Sequence, residues 1–168
     1  GVKLTKNGSV IVDKHFTSNI PNIHAVGDVI DRVALTPVAL AEGQILSQRL
    51  FGKGNKEMDY HDIPTAVFCQ PEIATVGLTE TEARERFDEV TVYKSQFTPL
   101  RHTLSGRVEK TFIKLLVDAK SDKVLGAHMM GEYAAEIIQG VAIAIKAGAT
   151  KADFDATLGI HPSVAEEF

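Results

Sequence analysis

The sequence predicts an α+β fold: an antiparallel sheet with helices packed on one side, preceded by a shorter segment of a different kind. Two observations carry the sheet. Five short apolar runs, at 66–69, 73–77, 90–97, 112–117 and 124–130, are grouped together between turn signals. The strongest helical pattern, at 132–147, comes after them, and strands grouped before helices favour antiparallel pairing. A third observation separates the opening segment: Gly52-Lys-Gly54-Asn is a polar, glycine-rich linker, which places a boundary between about 52 and 62.

Taken in order, the elements begin with an expected strand, turn and strand over 1–12, the turn being Asn7-Gly8. Residues 16–22 read as an extended link, and 23–26 as a buried-type strand stopped by Gly27-Asp28. Thr36 is a suitable N-cap, and Pro37 suits the first helical position. Val38, Leu40, Ala41, Ile45 and Leu50 give that helix an apolar stripe running to about Gly52. Beyond the linker, the runs 66–69 and 73–77 flank Gln70-Pro71. Thr79-x-x-Glu82 is a capping box opening a helix to about Phe87. Strands follow at 90–97, 112–117 and 124–130, the last two joined by a turn at 120–123. Ile137, Ile138, Val141 and Ile145, with the small Ala134, Ala142 and Ala144, give 132–147 a broad apolar face, and Gly148 is its natural C-cap. Thr150 caps one more short helix reaching Phe154.

Composition narrows the function classes. At 168 residues the chain holds one domain, or one domain with an appendage. Its one cysteine, Cys69, allows no internal disulfide, no CxxC pair and no multi-cysteine zinc site, which points to a reducing compartment, the cytoplasm. A net charge of -4 argues against a nucleic-acid or anionic-membrane surface. No uncharged run approaches the ~20 residues that cross a bilayer. No signal peptide is visible, and position 1 is Gly, as expected of a piece of a longer chain.

Two constellations carry chemistry. The first is Gly27-Asp28 at a strand end, followed by Leu35-Thr36-Pro37 opening a helix. A carboxylate at a strand's C-terminal edge accepts hydrogen bonds from ligand hydroxyls, and a helix N-terminus suits an electron-rich ring oxygen or an anion. Gly-Asp is equally a common turn, and Thr-Pro a common helix start. The second is His161-Pro162 with Glu166. An imidazole beside a carboxylate has its tautomer held and its basicity raised. Ser163-x-x-Glu166 is also a capping box, so Glu166 alternatively closes a helix N-terminus, and spacing does not decide between the two. Cys69, in an apolar run without basic neighbours, reads as a buried inert thiol. The remaining histidines show no metal-ligand spacing. Gly52-x-Gly54 lacks the third glycine of a dinucleotide fingerprint, since position 57 is Glu.

Three ordered motifs together resemble the flavin-dependent pyridine nucleotide-disulfide oxidoreductases. Thr17-Ser-Asn-Ile-Pro21-Asn-Ile-His-Ala25-Val-Gly27-Asp28-Val is similar to the family's second FAD motif. Pro64-Thr-Ala-Val-Phe-Cys-Gln-Pro71-Glu-Ile-Ala-Thr-Val-Gly77 is similar to the start of its dimerisation domain. His161-Pro162-Ser-Val-Ala-Glu166-Glu167-Phe168 is similar to its active-site histidine motif. Leu104-Ser105-Gly106, the stretch from Gly148 to Asp155 and the ending resemble the branch that reduces glutathione disulfide. Trypanothione- and lipoamide-reducing branches are the nearest alternatives within the family, along with a reductase of a metal ion.

The resemblance implies the following placement. Residues 1–52 form the tail of the NADPH region and the last strand and helix of the FAD-binding domain; 53–61 are a linker; 62–168 are the dimerisation domain. Asp28, with Gly27, lies at the ribityl chain of FAD, and the helix begun at Leu35 and Thr36 points at the flavin's pyrimidine edge. His161 reaches into the partner subunit of a homodimer and protonates the departing glutathione thiolate, Glu166 orients it, and Glu167 lies near the substrate. The bonds before Pro71 and Pro162 are expected to be cis. The family's glycine-rich FAD fingerprint, redox cysteine pair and NADPH domain are not in this sequence, so the chain by itself is expected to be inactive and to bind neither FAD nor NADPH. A different class of function, a free-standing dimerisation module, is suggested by the apolar face 134–145, where Gly140 permits close approach.

Overall fold

The computed structural model describes all residues, 1–168. The chain packs as two units, Gly1–Tyr60 and His61–Phe168.

In the first unit the expected opening hairpin is reduced to one bridge, Leu4 to Val10, around a turn with Gly8 at φ +88°. Leu4 and Ile11 are exposed, so no buried face extends the pairing into a ladder. The 16–22 segment is not extended. Asp13 Oδ1 accepts the N–H groups of His15 (2.8 Å) and Thr17 (3.0 Å), which turns the chain. Phe16 at the turn takes φ +64° and is fully buried. Burial of a whole phenyl ring offsets the cost of left-handed backbone. The expected strand at 23–26 is likewise a single bridge, Thr17 to His24. A 3-10 turn, Gly27–Ile30, follows it directly, and helix α1 spans Thr36–Phe51. Its N-cap is Leu35, one residue earlier than the sequence suggests, so Thr36 is already helical and caps nothing. Of the expected stripe, Val38 is buried and Ala41 and Ile45 are half-buried, while Leu40 and Leu50 are exposed.

The second unit is the predicted α+β domain, with one correction: α2 packs on the face opposite α3, so the helices are not all on one side of the sheet. Strands β1 (Thr65–Val67), β2 (Ile73–Gly77), β3 (Val90–Phe97), β4 (Thr111–Asp118) and β5 (Val124–Met130) form one sheet in the order β1-β2-β5-β4-β3, antiparallel throughout. Helix α2 (Glu80–Arg86) lies between β2 and β3 in sequence, and α3 (Ala134–Lys146) and α4 (Lys151–Ala156) follow the last strand. Alternation in β4 sends Ile113, Leu115 and Val117 to one face, where α3 buries Ala134, Ile138, Ala142 and Ile145 against them. Leu116 points the other way and meets Ala83 of α2 and Val90 in a smaller cluster.

Local chemistry explains the helix ends. Thr79 and Glu82 close a reciprocal capping box on α2, and Thr150 and Asp153 do the same on α4. At the end of α3, Gly148 takes φ +81°, its N–H reaches Ile145 O (2.9 Å), and the Ala149 N–H reaches Ala144 O (3.0 Å), a Schellman closure. Both expected cis bonds, Gln70-Pro71 and His161-Pro162, are cis. Cys69 departs from expectation. β1 ends at Val67, so the thiol lies in the bend before Pro71, exposed, with Sγ 3.0 Å from Pro71 O.

Candidate functional site

The candidate residues fall in two places, one in each unit. After α4 the chain runs through Gly159 to His161, and a 3-10 turn, Ala165–Glu167, closes the C-terminal segment. Gly159 sits so close that a Cβ there would fall 2.7 Å from Glu166 Cβ, so the absence of a side chain lets Glu166 lie against this stretch. Glu166 Oε1 accepts the Ser163 N–H at 2.9 Å, and Ser163 Oγ accepts the Glu166 N–H at 3.3 Å. His161 Nδ1 lies 3.2 Å from both Glu166 oxygens. The Ser163–Glu166 exchange has the form of a capping box, but the 3-10 turn after it has Val164 as its N-cap and no side-chain cap, while the carboxylate that receives the Ser163 N–H also faces the imidazole. The Ser163 backbone N–H, with His161 beside it, holds the Glu166 carboxyl below the usual carboxylate range. With Nδ1 donating to that carboxylate, Nε2 becomes the atom free to exchange a proton. The His161 side chain is 72% exposed, so the exchange has access to solvent.

A cleft of about 640 Å³ adjoins this pair, lined by Pro162, Ser163, Glu166 and the exposed Glu167, and by Phe97, Pro99, Arg101, Glu132 and Tyr133. Arg101 lies 3.1 Å from Glu132, donates to Tyr133 Oη at 3.2 Å and stacks over the Tyr133 ring. His102 is buried, with Nε2 3.7 Å from Glu132 Oε2. Sequence reasoning missed this charged wall. Arg101 and Glu132 are thirty-one positions apart on separate loops, and no spacing rule joins them.

In the first unit, Gly27 takes φ +74°, and a Cβ there would fall 3.1 Å from Ala39 Cβ. Asp28 follows, exposed, in the 3-10 turn. Leu35 is half-buried at the N-cap of α1, its carbonyl accepting from Val38 and Ala39, and Thr36 is exposed. No side chain caps this terminus and no acidic residue occupies its first turn, so its positive end is not neutralised from within. Glu42, also missed by sequence reasoning, is buried to 1%. Its Oε2 accepts the Gly27 N–H and its Oε1 accepts the Tyr60 hydroxyl, each at 2.6 Å. Arg32 donates to the same hydroxyl at 3.2 Å and stacks over the Phe16 and Tyr60 rings. No three His, Cys, Asp or Glu side chains converge to hold a metal ion, and no helix is long and apolar enough to cross a membrane.

Comparison with known proteins gives a consistent picture. Residues 63–168 match the family described as pyridine nucleotide-disulphide oxidoreductase, dimerisation domain, and residues 1–43 match the family described as pyridine nucleotide-disulphide oxidoreductase. A glutathione reductase of Nostoc sp. is 56% identical over 162 residues, covering 95% of this chain and 35% of the relative. The chloroplastic/mitochondrial glutathione reductase of Pisum sativum is 53% identical, covering 100% of this chain and 30% of the relative. That of Burkholderia cepacia is 52% identical, covering 99% and 37%. The chain thus spans about a third of the length of these relatives. Among solved structures, the HOCl-induced flavoprotein disulfide reductase RclA from Escherichia coli matches with a TM-score of 0.87 at 27% identity, covering 99% of this chain and 38% of that one.

Proposed function

The chain belongs to the pyridine nucleotide-disulphide oxidoreductase family, and we propose that it forms the C-terminal part of an NADPH- and FAD-dependent glutathione-disulfide reductase. In this reading 1–52 complete the nucleotide-binding region, 53–61 link it onward, and 62–168 form the interface of a homodimer. The carrying observation is the His161–Glu166 pair beside an open cleft, on a chain more than half identical to three glutathione reductases.

His161 acts as a general acid. When a thiolate of the enzyme attacks glutathione disulfide, a mixed disulfide forms and one glutathione leaves as thiolate. The imidazolium of His161 gives it the Nε2 proton and keeps its Nδ1–H on Glu166. Glu166, held anionic by the Ser163 N–H, accepts the Nδ1–H and fixes the ring throughout. Glu167 lines the same cleft, and in this reading lies near the substrate.

The first unit fits a flavin. Asp28 presents an exposed carboxylate for ribityl hydroxyls, Gly27 keeps the backbone close to α1, and the uncapped N-terminus at Leu35 and Thr36 suits the electron-rich pyrimidine edge. FAD, when bound, supplies the passage of an electron pair from NADPH to the disulfide. A glutathione-maintained reducing compartment, the cytoplasm, suits this chemistry and the single cysteine.

The test is NADPH-dependent reduction by the full-length protein of glutathione disulfide, trypanothione disulfide and lipoamide in parallel. The highest kcat/KM is expected for glutathione disulfide. A preference for another disulfide overturns the substrate assignment, and no turnover of any overturns the reading.

A further inference from the structure

The acid–base pair leaves the most buried carboxylate of the chain unused. Glu42 lies in the second turn of α1, 1% exposed, with both oxygens committed at 2.6 Å. One accepts the N–H of Gly27, whose buried amide requires a partner. The other accepts the Tyr60 hydroxyl, itself held by Arg32. Arg32 in turn donates to Val12 O (3.2 Å) and Asp13 O (2.9 Å).

The consequence is geometric. Asp28 is on the 3-10 turn that begins at Gly27, while Leu35 and Thr36 are at the head of α1. These segments share one cofactor in the reading above, so their separation must be fixed before that cofactor arrives. Glu42 is on the helix and grips the first residue of the turn. We propose that Glu42 is a positioning residue for the flavin: its carboxylate registers the Asp28 turn against the α1 N-terminus, and Tyr60 and Arg32 hold the carboxylate in place. The proposal rests on the flavin reading of Gly27, Asp28, Leu35 and Thr36.

The experiment measures FAD affinity of the full-length apoprotein by quenching of flavin fluorescence, with the visible spectrum of bound flavin and the thermal midpoint of the apoprotein recorded alongside. Glu42→Leu keeps the bulk and removes both acceptors. It is expected to weaken FAD binding about tenfold or more, since both hydrogen bonds lost are charge-assisted, and to alter the bound-flavin spectrum. Glu42→Gln keeps a carbonyl oxygen for the Gly27 N–H and turns its amide toward the Tyr60 oxygen, so it is expected to restore affinity to within about threefold of wild type. Tyr60→Phe, which leaves Glu42 with one anchor, covers the case in which Glu42→Leu fails to fold and is expected to weaken binding by about threefold or more. Wild-type affinity and spectrum in Glu42→Leu, or in Tyr60→Phe where Glu42→Leu fails to fold, overturn the proposal while leaving the flavin reading intact. Failure of wild-type protein to bind FAD overturns both.

Discussion

His161 Nδ1 lies 3.2 Å from both carboxylate oxygens of Glu166. The pair is assembled within a six-residue stretch in which Ser163 and Glu166 exchange hydrogen bonds. The turn that orders the carboxylate therefore also delivers it to the imidazole. Glu166→Gln in the full-length protein keeps an acceptor for the Ser163 N–H and removes the charge facing His161. Turnover of glutathione disulfide is expected to fall by about tenfold or more. Steady-state kinetics of the variant at matched flavin content check it.

His128 supplies a pH dependence of stability. It stands opposite Lys114 in the β4–β5 pairing. Leu78 O can only accept, so His128 Nε2 carries the proton donated to it (3.1 Å), and Nδ1 accepts from the Thr75 hydroxyl (2.5 Å). Burial, with the nearby Lys114 charge, pushes its pKa below the ordinary 6.5, against the opposing pull of Leu78 O and Glu80. The unfolded chain then takes up the proton first as pH falls. The contribution is complete above the unfolded pKa of 6.5 and is lost as pH falls through the folded value. Urea midpoints across this range are expected to drop on the acid side, and His128→Gln to flatten that part of the curve.

The two capping boxes are independent tests of local structure. Thr79→Ala and Thr150→Ala each remove an acceptor for an N–H in the first helical turn. Each is expected to cost about 1 kcal/mol of unfolding free energy. The serine variants, which retain the oxygen, are expected to stay close to wild type in denaturant titrations.

These helix starts were legible because a capping box is written within four residues. The five strands were legible for the same local reason: turn signals bound runs of alternating or continuous apolar residues. What escaped lies in pairings across longer separations. Glu42 meets Gly27 and Tyr60, fifteen and eighteen residues away, and a glutamate in the sequence of α1 gives no sign of burial. The sequence around Phe16 reads as an extended link because nothing in Phe-Thr-Ser marks a left-handed residue; Asp13, which makes the turn, lies three residues earlier. Ala-Val-Phe-Cys is continuously apolar and reads as a strand through Cys69, yet β1 stops at Val67. At the candidate site, His161 and Glu166 are legible in sequence because they are five residues apart, whereas Arg101 and Glu132 meet only through the fold.

Gly126 marks a close backbone approach that no other residue satisfies. Its Cα pairs with Gly77 across β2 and β5, and a Cβ added there would lie 2.3 Å from Leu78 O. That carbonyl is not free to retreat, since the Leu78 N–H is bonded to Leu125 O at 2.9 Å. Gly126→Ala is expected to destabilise the second unit by about 1–3 kcal/mol, the range for overpacked sites. Chemical denaturation of the variant chain measures it.

Proton donation by His161 is tested most directly by comparing full-length wild type with His161→Gln in steady-state reduction of glutathione disulfide by NADPH. FAD content and thermal midpoint are matched between the two proteins. A fall in kcat of about a hundredfold or more is predicted, within the usual range for loss of a positioned general acid. Wild-type turnover by His161→Gln at matched flavin content would contradict the assignment.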